Sequence, residues 1–197
     1  MLALLDNLAV SFDLPILDWI QANLQSGFLD TIMPIITLFG DAGIFWMACA
    51  TLLLLFPKTR RTGLGVWFAL ALGLLICNII LKPMVGRMRP YDFQKEHFQV
   101  IINLLIDKES SLSFPSGHTI ASFEAAVVLL KNSKKMGIPA MILAVLIAFS
   151  RLYLYVHYPT DVIASIILGT LFAFIGDALA GLIAPKLRFG KRGKFEA

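Results

Sequence analysis

The chain has 197 residues, of which 58% are hydrophobic and 15% are charged, and its formal net charge is +4. Ordinary soluble domains carry roughly 25% charged residues, so this composition argues against a soluble globular protein. The positive charge could suggest nucleic-acid binding, but the basic residues stand in short clusters beside apolar runs, which is typical of a membrane protein. The lipid bilayer is therefore the expected partner, and no nucleic acid is.

Residues 1–41 predict helices that lie at the membrane interface. Residues 1–25 are interrupted by three aspartates, and their apolar positions share one helical face, namely Ile16, Leu17, Ile20 and Leu24. The next segment, Phe28–Phe39, is apolar but short, and Pro34 breaks it. It is interpreted as an interfacial or half-buried helix leading into the first span. One long, kinked first span is the alternative.

Five predominantly apolar segments then predict helices that cross the membrane, at 42–57, 62–82, 117–131, 136–156 and 160–184. Thr62–Leu81 has no charged residue, and a bilayer core of about 30 Å requires about 20 residues of helix. The chain is therefore expected to be all-α: a polytopic membrane helix bundle of five or six helices with an N-terminal interfacial helix. Its single domain would have a helical core at 42–185 and a basic tail at 186–197.

The basic residues predict how this bundle is oriented. In the five-span interpretation most of them lie on one side of the membrane: Lys58, Arg60, Arg61, Lys131, Lys134, Lys135, Lys186, Arg188, Lys191, Arg192 and Lys194. Lysine and arginine are enriched in cytoplasmic loops. The tail is therefore expected in the cytoplasm of a plasma-membrane protein, and the long connection at 83–115 is expected on the extracytoplasmic side.

Two short constellations of polar residues flank that long connection. Lys82 is followed after six residues by Arg89 and a proline; alone, Lys82 could simply reach the interface from the end of an apolar helix. The second constellation, Pro115–His118, directly precedes an apolar run. It could be only a turn and a helix cap, but free amide groups at a helix start also form an anion site.

A third constellation begins at Ser150-Arg151, with His157 after five residues and Asp161 after three more. Ionisable residues near membrane depth are costly and therefore indicate function. Cations and helix-start amides suit the oxygens of a transferring phosphoryl group. A histidine supported by a carboxylate is a nucleophile pattern, and His118 would be available as a general acid. The residues alone do not decide which histidine attacks.

The three constellations resemble the signatures of the type 2 phosphatidic acid phosphatase family, which are K-x(6)-R-P, P-S-G-H and S-R-x(5)-H-x(3)-D. All three stand in this sequence without departure and in the family's order, between Lys82 and Asp161. They cover about two-fifths of the chain. The resemblance implies an all-helical membrane protein that hydrolyses lipid phosphates.

The resemblance also implies a role for each matching position. His157 would attack phosphorus and form a phosphohistidine, Asp161 would hold the imidazole in the useful tautomer, and His118 would protonate the leaving group and then activate water. The phosphate oxygens would be bound by Lys82, Arg89, Ser116, the Gly117 amide and Arg151. No metal or other cofactor is expected, because no set of carboxylates or Cys/His residues has convincing metal-ligand spacing.

Two charged residues that are not defining positions of the three signatures have no assigned role. Arg87 could touch a head group or a second phosphate, but a surface cation is the favoured interpretation. Glu124 lies six residues past His118 within a predicted span, where it is expected to pair with a cation or to face the helix bundle.

The expected reaction is hydrolysis of a lipid phosphate or diphosphate at the outer membrane interface. Undecaprenyl diphosphate is the favoured substrate by analogy, since that carrier is recycled on the outer side; phosphatidic acid and phosphatidylglycerol phosphate are the others. A lipid phosphotransferase would use the same intermediate, with a lipid or sugar hydroxyl in place of water. A lipid transporter or non-catalytic binding protein is the alternative from another class.

Overall fold

The computed structural model describes residues 2–185, and its regular elements in that range are all helical. In chain order the α-helices are α1 (Leu2–Leu8), α2 (Leu14–Leu24), α3 (Gly27–Leu38), α4 (Ile44–Leu55), α5 (Arg60–Gly73), α6 (Lys82–Val85), α7 (Pro90–Phe98), α8 (Gly117–Asn132), α9 (Lys134–Tyr153) and α10 (Pro159–Ile183). Two π-helical segments, Ala9–Asp13 and Leu74–Leu81, join α1 to α2 and α5 to α6. The all-α prediction is confirmed for these residues; the predicted tail at 186–197 lies outside them.

Within residues 2–185, four helical stretches are long and apolar enough to cross a membrane: Gly27–Leu55, Arg60–Phe98, Lys134–Tyr153 and Pro159–Ile183. The sequence predicted five spans. The difference lies at α8, whose 16 residues reach about 24 Å at 1.5 Å per residue, short of a bilayer core of about 30 Å. The first stretch includes both α3 and α4, with a bend at Ala42 where φ is 46°, as in the kinked-span alternative.

Helix α8 packs against α5, α9 and α10, and α10 also packs against α5. The close approach of α10 to α5 depends on glycine, as is common between helices in membranes: a Cβ atom on Gly176 would lie 2.6 Å from the carbonyl oxygen of Gly65. Glu124 of α8 is 1% exposed and lies against Gly73 of α5. Its carboxyl group therefore faces the helix bundle, which is one of its two predicted environments.

The N-terminal helix α2 packs against the connection between α9 and α10. Its residues Leu14, Leu17 and Ile20 are buried, in a cluster with residues 153–156 and Tyr158. Two polar contacts reinforce this packing: Gln21 Nε2 donates to the carbonyl of Tyr153 at 2.7 Å, and Tyr155 Oη donates to Asp18 Oδ1 at 2.6 Å. The apolar face predicted for this helix thus meets the segment that carries the third signature.

Alternating helix directions bring the three signatures to one end of the bundle. Lys82 follows the π-helical segment at the end of α5, α8 begins at Gly117, and the connection at 154–158 joins α9 to α10. At the opposite end Asp177 of α10 pairs with Lys131 at 2.7 Å and with Arg61 at 3.6 Å. The fold therefore separates the polar site of the three signatures from a second polar cluster at the other end, where Asn132 also donates to Asp177 Oδ1 at 2.9 Å.

Candidate active site

A cavity of about 380 Å³ lies at the signature end of the bundle, between α5, α8 and the bend before α4. Four residues of the three signatures line it: Lys82, Gly117, His118 and His157. Apolar side chains continue the wall: Trp67 and Leu70 of α5 and Leu74 of the π-helical segment that follows it. Residues that are far apart in the sequence are thus gathered around one space with a polar end and an apolar end.

The first signature is shaped by a short helix and a tight turn. Helix α6 begins at Lys82, with a proline in its first turn, and ends at Val85; the next residue, Gly86, has a φ of 66°, in the left-handed region. Glycine adopts this conformation without steric cost. The chain then extends through Arg89, and Pro90 starts α7, as its fixed φ favours. This turn brings Lys82 and Arg89 toward the same site.

The second signature forms the start of α8. Ser116 has an extended backbone at the N-cap position and Gly117 is the first helical residue, so the free amides of the first turn lie at the cavity. The Ser116 amide donates to Ser165 Oγ at 2.9 Å, and its hydroxyl pairs with Thr119 Oγ1 at 3.0 Å. Among the residues 116–118, Gly117 and His118 line the cavity directly, and Ser116 anchors the turn to α10.

His157 lies in the connection between α9 and α10 and is 1% exposed. Its Nε2 atom is 3.3 Å from Nη1 of Arg89, and its Nδ1 atom is 3.5 Å from Oδ2 of Asp161. The second distance is long for a hydrogen bond, and Nδ1 has no hydrogen-bond partner among the described residues. Burial, and then the charges of Arg89 and Arg151, hold the pKa of His157 well below its usual value. These effects favour the uncharged imidazole, the form whose ring nitrogen has a free lone pair.

Arg89 is almost fully buried and is held by several acceptors. Its Nε donates to the carbonyl of Ser111 at 2.7 Å, and its Nη1 donates to the carbonyl of Val156 at 2.9 Å. Its Nη2 donates to the Ser111 hydroxyl at 2.9 Å and to Glu109 Oε2 at 2.5 Å. Fixed on both sides in this way, the guanidinium is preorganised beside the Nε2 atom of His157.

Arg151 is ion-paired with the same glutamate as Arg89. Its Nη1 donates to Thr37 Oγ1 at 2.5 Å, and its Nη2 is ion-paired with Glu109 Oε1. Its Nε has no hydrogen-bond partner among the described residues. Glu109 therefore bridges the two arginines that the signatures predicted as phosphate ligands, with its side chain 24% exposed. The sequence interpretation missed this carboxylate, since it lies in an irregular loop with no motif.

Asp161 lies behind His157, in the first turn of α10, and is completely buried. Its Oδ1 accepts from Arg87 Nη1 at 2.5 Å, and its Oδ2 accepts from Ser113 Oγ at 2.5 Å and from the Tyr158 amide at 3.2 Å. The interpretation of Arg87 as a surface cation is wrong: the residue is 3% exposed. Arg87 can be buried because Asp161 neutralises its charge. Its position between Lys82 and Arg89 in the sequence did not reveal this pairing.

The described part of the chain brings several possible anion ligands together. Among residues 2–185 there is no group of three His, Cys, Asp or Glu side chains arranged to hold a metal ion. The groups that could hold an anion are the side chain of Lys82, the guanidinium groups of Arg89 and Arg151, and the Gly117 amide. Together they can bind the oxygens of a phosphate whose phosphorus faces His157.

Comparison with known proteins shows the family to which the chain belongs. Residues 62–180 match the model of the PAP2 superfamily, and the three signatures lie in that range. The chain is 31% identical over 167 residues to an undecaprenyl-diphosphatase of Sulfolobus acidocaldarius, a match that covers 84% of this chain and 77% of the relative. It is 33% identical over 159 residues to phosphatidylglycerophosphatase B of Bacillus subtilis, covering 73% of this chain and 65% of that one.

A solved structure agrees over nearly the whole chain. The crystal structure of a transmembrane PAP2-type phosphatidylglycerolphosphate phosphatase from Bacillus subtilis matches with a TM-score of 0.68 and 28% sequence identity. The match covers 93% of this chain and 90% of the other. The family resemblance read from the three signatures is therefore confirmed.

Proposed function

The chain belongs to the PAP2 superfamily, and from this premise we propose that it is a multi-pass membrane phosphatase that hydrolyses a lipid phosphate or diphosphate through a phosphohistidine. The observation that carries the proposal is the approach of Arg89 Nη1 to His157 Nε2, at 3.3 Å. A phosphoryl group that contacts this nitrogen also contacts a fixed cation. The neighbouring Lys82 and Arg151 supply further positive charge for the developing negative charge on oxygen.

In the first step, Nε2 of His157 attacks phosphorus, the P–N bond forms and the P–O bond to the lipid breaks. His118, which lines the same cavity, enters this step as the imidazolium, donates its proton to the leaving oxygen and ends the step neutral. The imidazole gains positive charge as it attacks. Oδ2 of Asp161, 3.5 Å from Nδ1, opposes that charge and favours the tautomer that leaves Nε2 free.

In the second step, His118 takes a proton from water while the water oxygen attacks phosphorus. The P–N bond breaks, inorganic phosphate leaves and His157 returns to its neutral form. Lys82, Arg89, Arg151 and the Gly117 amide bind the phosphate oxygens in both steps, while Ser116 holds the start of α8 in place through Ser165 and Thr119. With a diphosphate the terminal phosphoryl group is transferred, and the lipid monophosphate is the leaving group.

The proposed intermediate is tested by trapping. Incubation of purified protein with substrate labelled in its terminal phosphate, followed by an alkaline quench, should recover label on protein, because phosphohistidine survives base and is lost in acid. His157→Ala should abolish both the label and turnover, by at least about a thousandfold. His97→Ala is the matched control, since His97 is exposed and stacks on Phe93 at 4.0 Å. Full activity of His157→Ala would contradict the proposal.

Undecaprenyl diphosphate is the proposed substrate, and similarity to undecaprenyl-diphosphatases of Sulfolobus acidocaldarius and Bacillus subtilis supports it. Purified protein should be assayed with undecaprenyl diphosphate, phosphatidic acid and phosphatidylglycerol phosphate, each with and without chelator. We expect the highest kcat/KM for undecaprenyl diphosphate and no effect of the chelator. A strict requirement for divalent metal would contradict the metal-independent mechanism. Phosphorylated acceptor in place of free phosphate would identify a phosphotransferase.

The active site is proposed to face the extracytoplasmic side of the plasma membrane. Ile101 in the long connection is 77% exposed, and Lys58 between α4 and α5 is exposed near the opposite end. In a background without Cys49 and Cys77, Ile101→Cys should react with a membrane-impermeant maleimide in intact cells. Lys58→Cys should react only after permeabilisation. The reverse pattern would place the site in the cytoplasm.

A further inference from the structure

A buried ionic network behind His157 joins the N-terminal segment to the third signature. Arg87 donates through Nη1 to Asp161 Oδ1 at 2.5 Å and through Nη2 to Asp13 Oδ2 at 2.7 Å. The side chains of Asp13 and Asp161 are completely buried, and that of Arg87 is 3% exposed. These three residues, called here the Asp13–Arg87–Asp161 bridge, place one guanidinium between two carboxylates. No residue of 1–41 belongs to the three signatures.

Asp13 also holds the start of α10 directly. Its Oδ1 accepts from the Thr160 amide at 2.9 Å, and its Oδ2 accepts from the Thr160 hydroxyl at 2.7 Å. The amides of a first helical turn have no partner within the helix, so Asp13 caps α10 from a distant part of the chain. The residue it grips immediately precedes Asp161. The N-terminal segment therefore contacts the first turn of α10, directly beside the carboxylate of Asp161 that faces His157.

The bridge also gives the two oxygens of the Asp161 carboxylate different partners. Arg87 binds Oδ1, while Oδ2 is the atom 3.5 Å from His157 Nδ1. Arg87 is itself immobilised, since its guanidinium lies 3.8 Å from the centre of the Tyr158 ring and its carbonyl accepts from the Ser113 amide at 2.8 Å. If Arg87 had Asp161 as its sole partner, its full positive charge would act on that carboxylate. Asp13 shares the charge.

We propose that Arg87 and Asp13 are positioning residues of the active site. Arg87 fixes Oδ1 of Asp161 so that Oδ2 faces the imidazole of His157, and Asp13 takes part of the Arg87 charge so that Asp161 stays a strong acceptor. The N-terminal segment then has a function beyond its predicted place at the membrane interface: it completes the support of the proposed nucleophile. This inference rests on the proposed role of His157.

The decisive comparison is between two aspartates of the same segment. Asp13→Asn keeps the size of the side chain and an oxygen acceptor, but it removes the negative charge that faces Arg87. Asp18→Asn is the matched control, because Asp18 binds Tyr155 Oη at 2.6 Å and anchors the same segment without contacting the bridge. We expect Asp13→Asn to lower kcat about 10- to 100-fold with KM changed less than about twofold, as for a misplaced catalytic group. Asp18→Asn should keep kcat within about twofold.

The fold of each variant is checked by the Ki of inorganic phosphate as a competitive inhibitor, which should stay within about twofold of wild type. Arg87→Lys is the second variant, since it keeps the charge but a single ammonium cannot hold both carboxylates in the fork geometry. It should also lower kcat with unchanged KM and Ki, and it decides the matter if Asp13→Asn is not recovered folded.

His157→Ala, assayed in parallel, distinguishes failure of the proposed nucleophile from failure of the proposed positioning role. If it is inactive and Asp13→Asn loses kcat while Asp18→Asn does not, the bridge positions the nucleophile. If His157→Ala is inactive but both aspartate variants keep wild-type kcat, the bridge is only structural and this inference fails. Activity of His157→Ala would instead overturn the proposed mechanism, and the positioning role with it.

Discussion

Oε2 of Glu109 accepts a hydrogen bond from Nη2 of Arg89 at 2.5 Å. The other oxygen of the same carboxylate is ion-paired with Arg151, so Glu109 occupies the space between two cations that are proposed to bind phosphate. Glu109 also lines the cavity that contains His118 and His157. A substrate phosphate that binds both arginines must displace this carboxylate.

Glu109→Gln should therefore strengthen anion binding. The amide keeps an acceptor for one arginine but no longer competes as an anion, so we expect the Ki of inorganic phosphate and the KM for lipid substrate to fall about fivefold. This corresponds to roughly 1 kcal/mol, the net strength of one hydrogen bond. Steady-state inhibition measures both constants, with kcat expected to be nearly unchanged. A weaker affinity for phosphate would show that Glu109 supports the arginines rather than competing with substrate.

His118→Asn should separate the two chemical steps. With p-nitrophenyl phosphate as the substrate, the leaving group p-nitrophenolate needs no proton, so phosphorylation of His157 should survive the substitution. Hydrolysis of the phosphohistidine still needs a base, so we expect a burst of about one p-nitrophenolate per active site, followed by turnover slowed at least about 100-fold. Rapid-quench kinetics measure the burst. Loss of the burst itself would assign His118 to the attack step instead.

Arg89→Lys should lower kcat/KM about a hundredfold, or roughly 2.7 kcal/mol. Arg89 holds several acceptors at once through separate nitrogens, and a lysine ammonium cannot reproduce that fork. Arg61→Lys is the matched control: Arg61 is half exposed and 3.6 Å from Asp177 at the opposite end of the bundle, so activity should be unchanged. Equal activity of the two variants would mean that charge alone suffices at Arg89.

Gly176→Ala should destabilise the helix bundle. Its new methyl group would lie 2.6 Å from the carbonyl oxygen of Gly65, a backbone atom that cannot move without separating α10 from α5. Overpacking of this kind costs about 1–3 kcal/mol, which should lower the thermal unfolding midpoint in detergent by several degrees. Gly27→Ala is the control, since its Cβ would have no neighbour within 4 Å. Equal midpoints would contradict the packing.

Much of the candidate site could be predicted from spacing alone. Lys82, His118 and His157 line one cavity as the signatures suggested, because each signature lies at a helix end and apolar runs of similar length return those ends to one side of a bilayer. The all-helical fold follows from the same runs. The number of membrane spans did not follow as directly, since α8 carries an apolar pattern but is shorter than a bilayer core.

The environment of individual charges could not be predicted in the same way. Arg87 looked like a surface cation and Glu109 had no motif, yet both are tied to residues of the signatures. A local pattern reports which face of a helix is apolar, but it does not report which distant charge will be placed opposite. That depends on how separate helices pack.

The sequence by itself determined the family of this protein, its all-helical class and the helix ends that carry its three signatures, because hydropathy and motif spacing are local properties. Only the tertiary structure decided that Asp13 and Thr160, 147 positions apart in the chain, are hydrogen-bonded, and that Asp161 is shared between Arg87 and His157. The physical reason is that buried charges must be paired, and their partners are selected by three-dimensional packing rather than by proximity in the sequence.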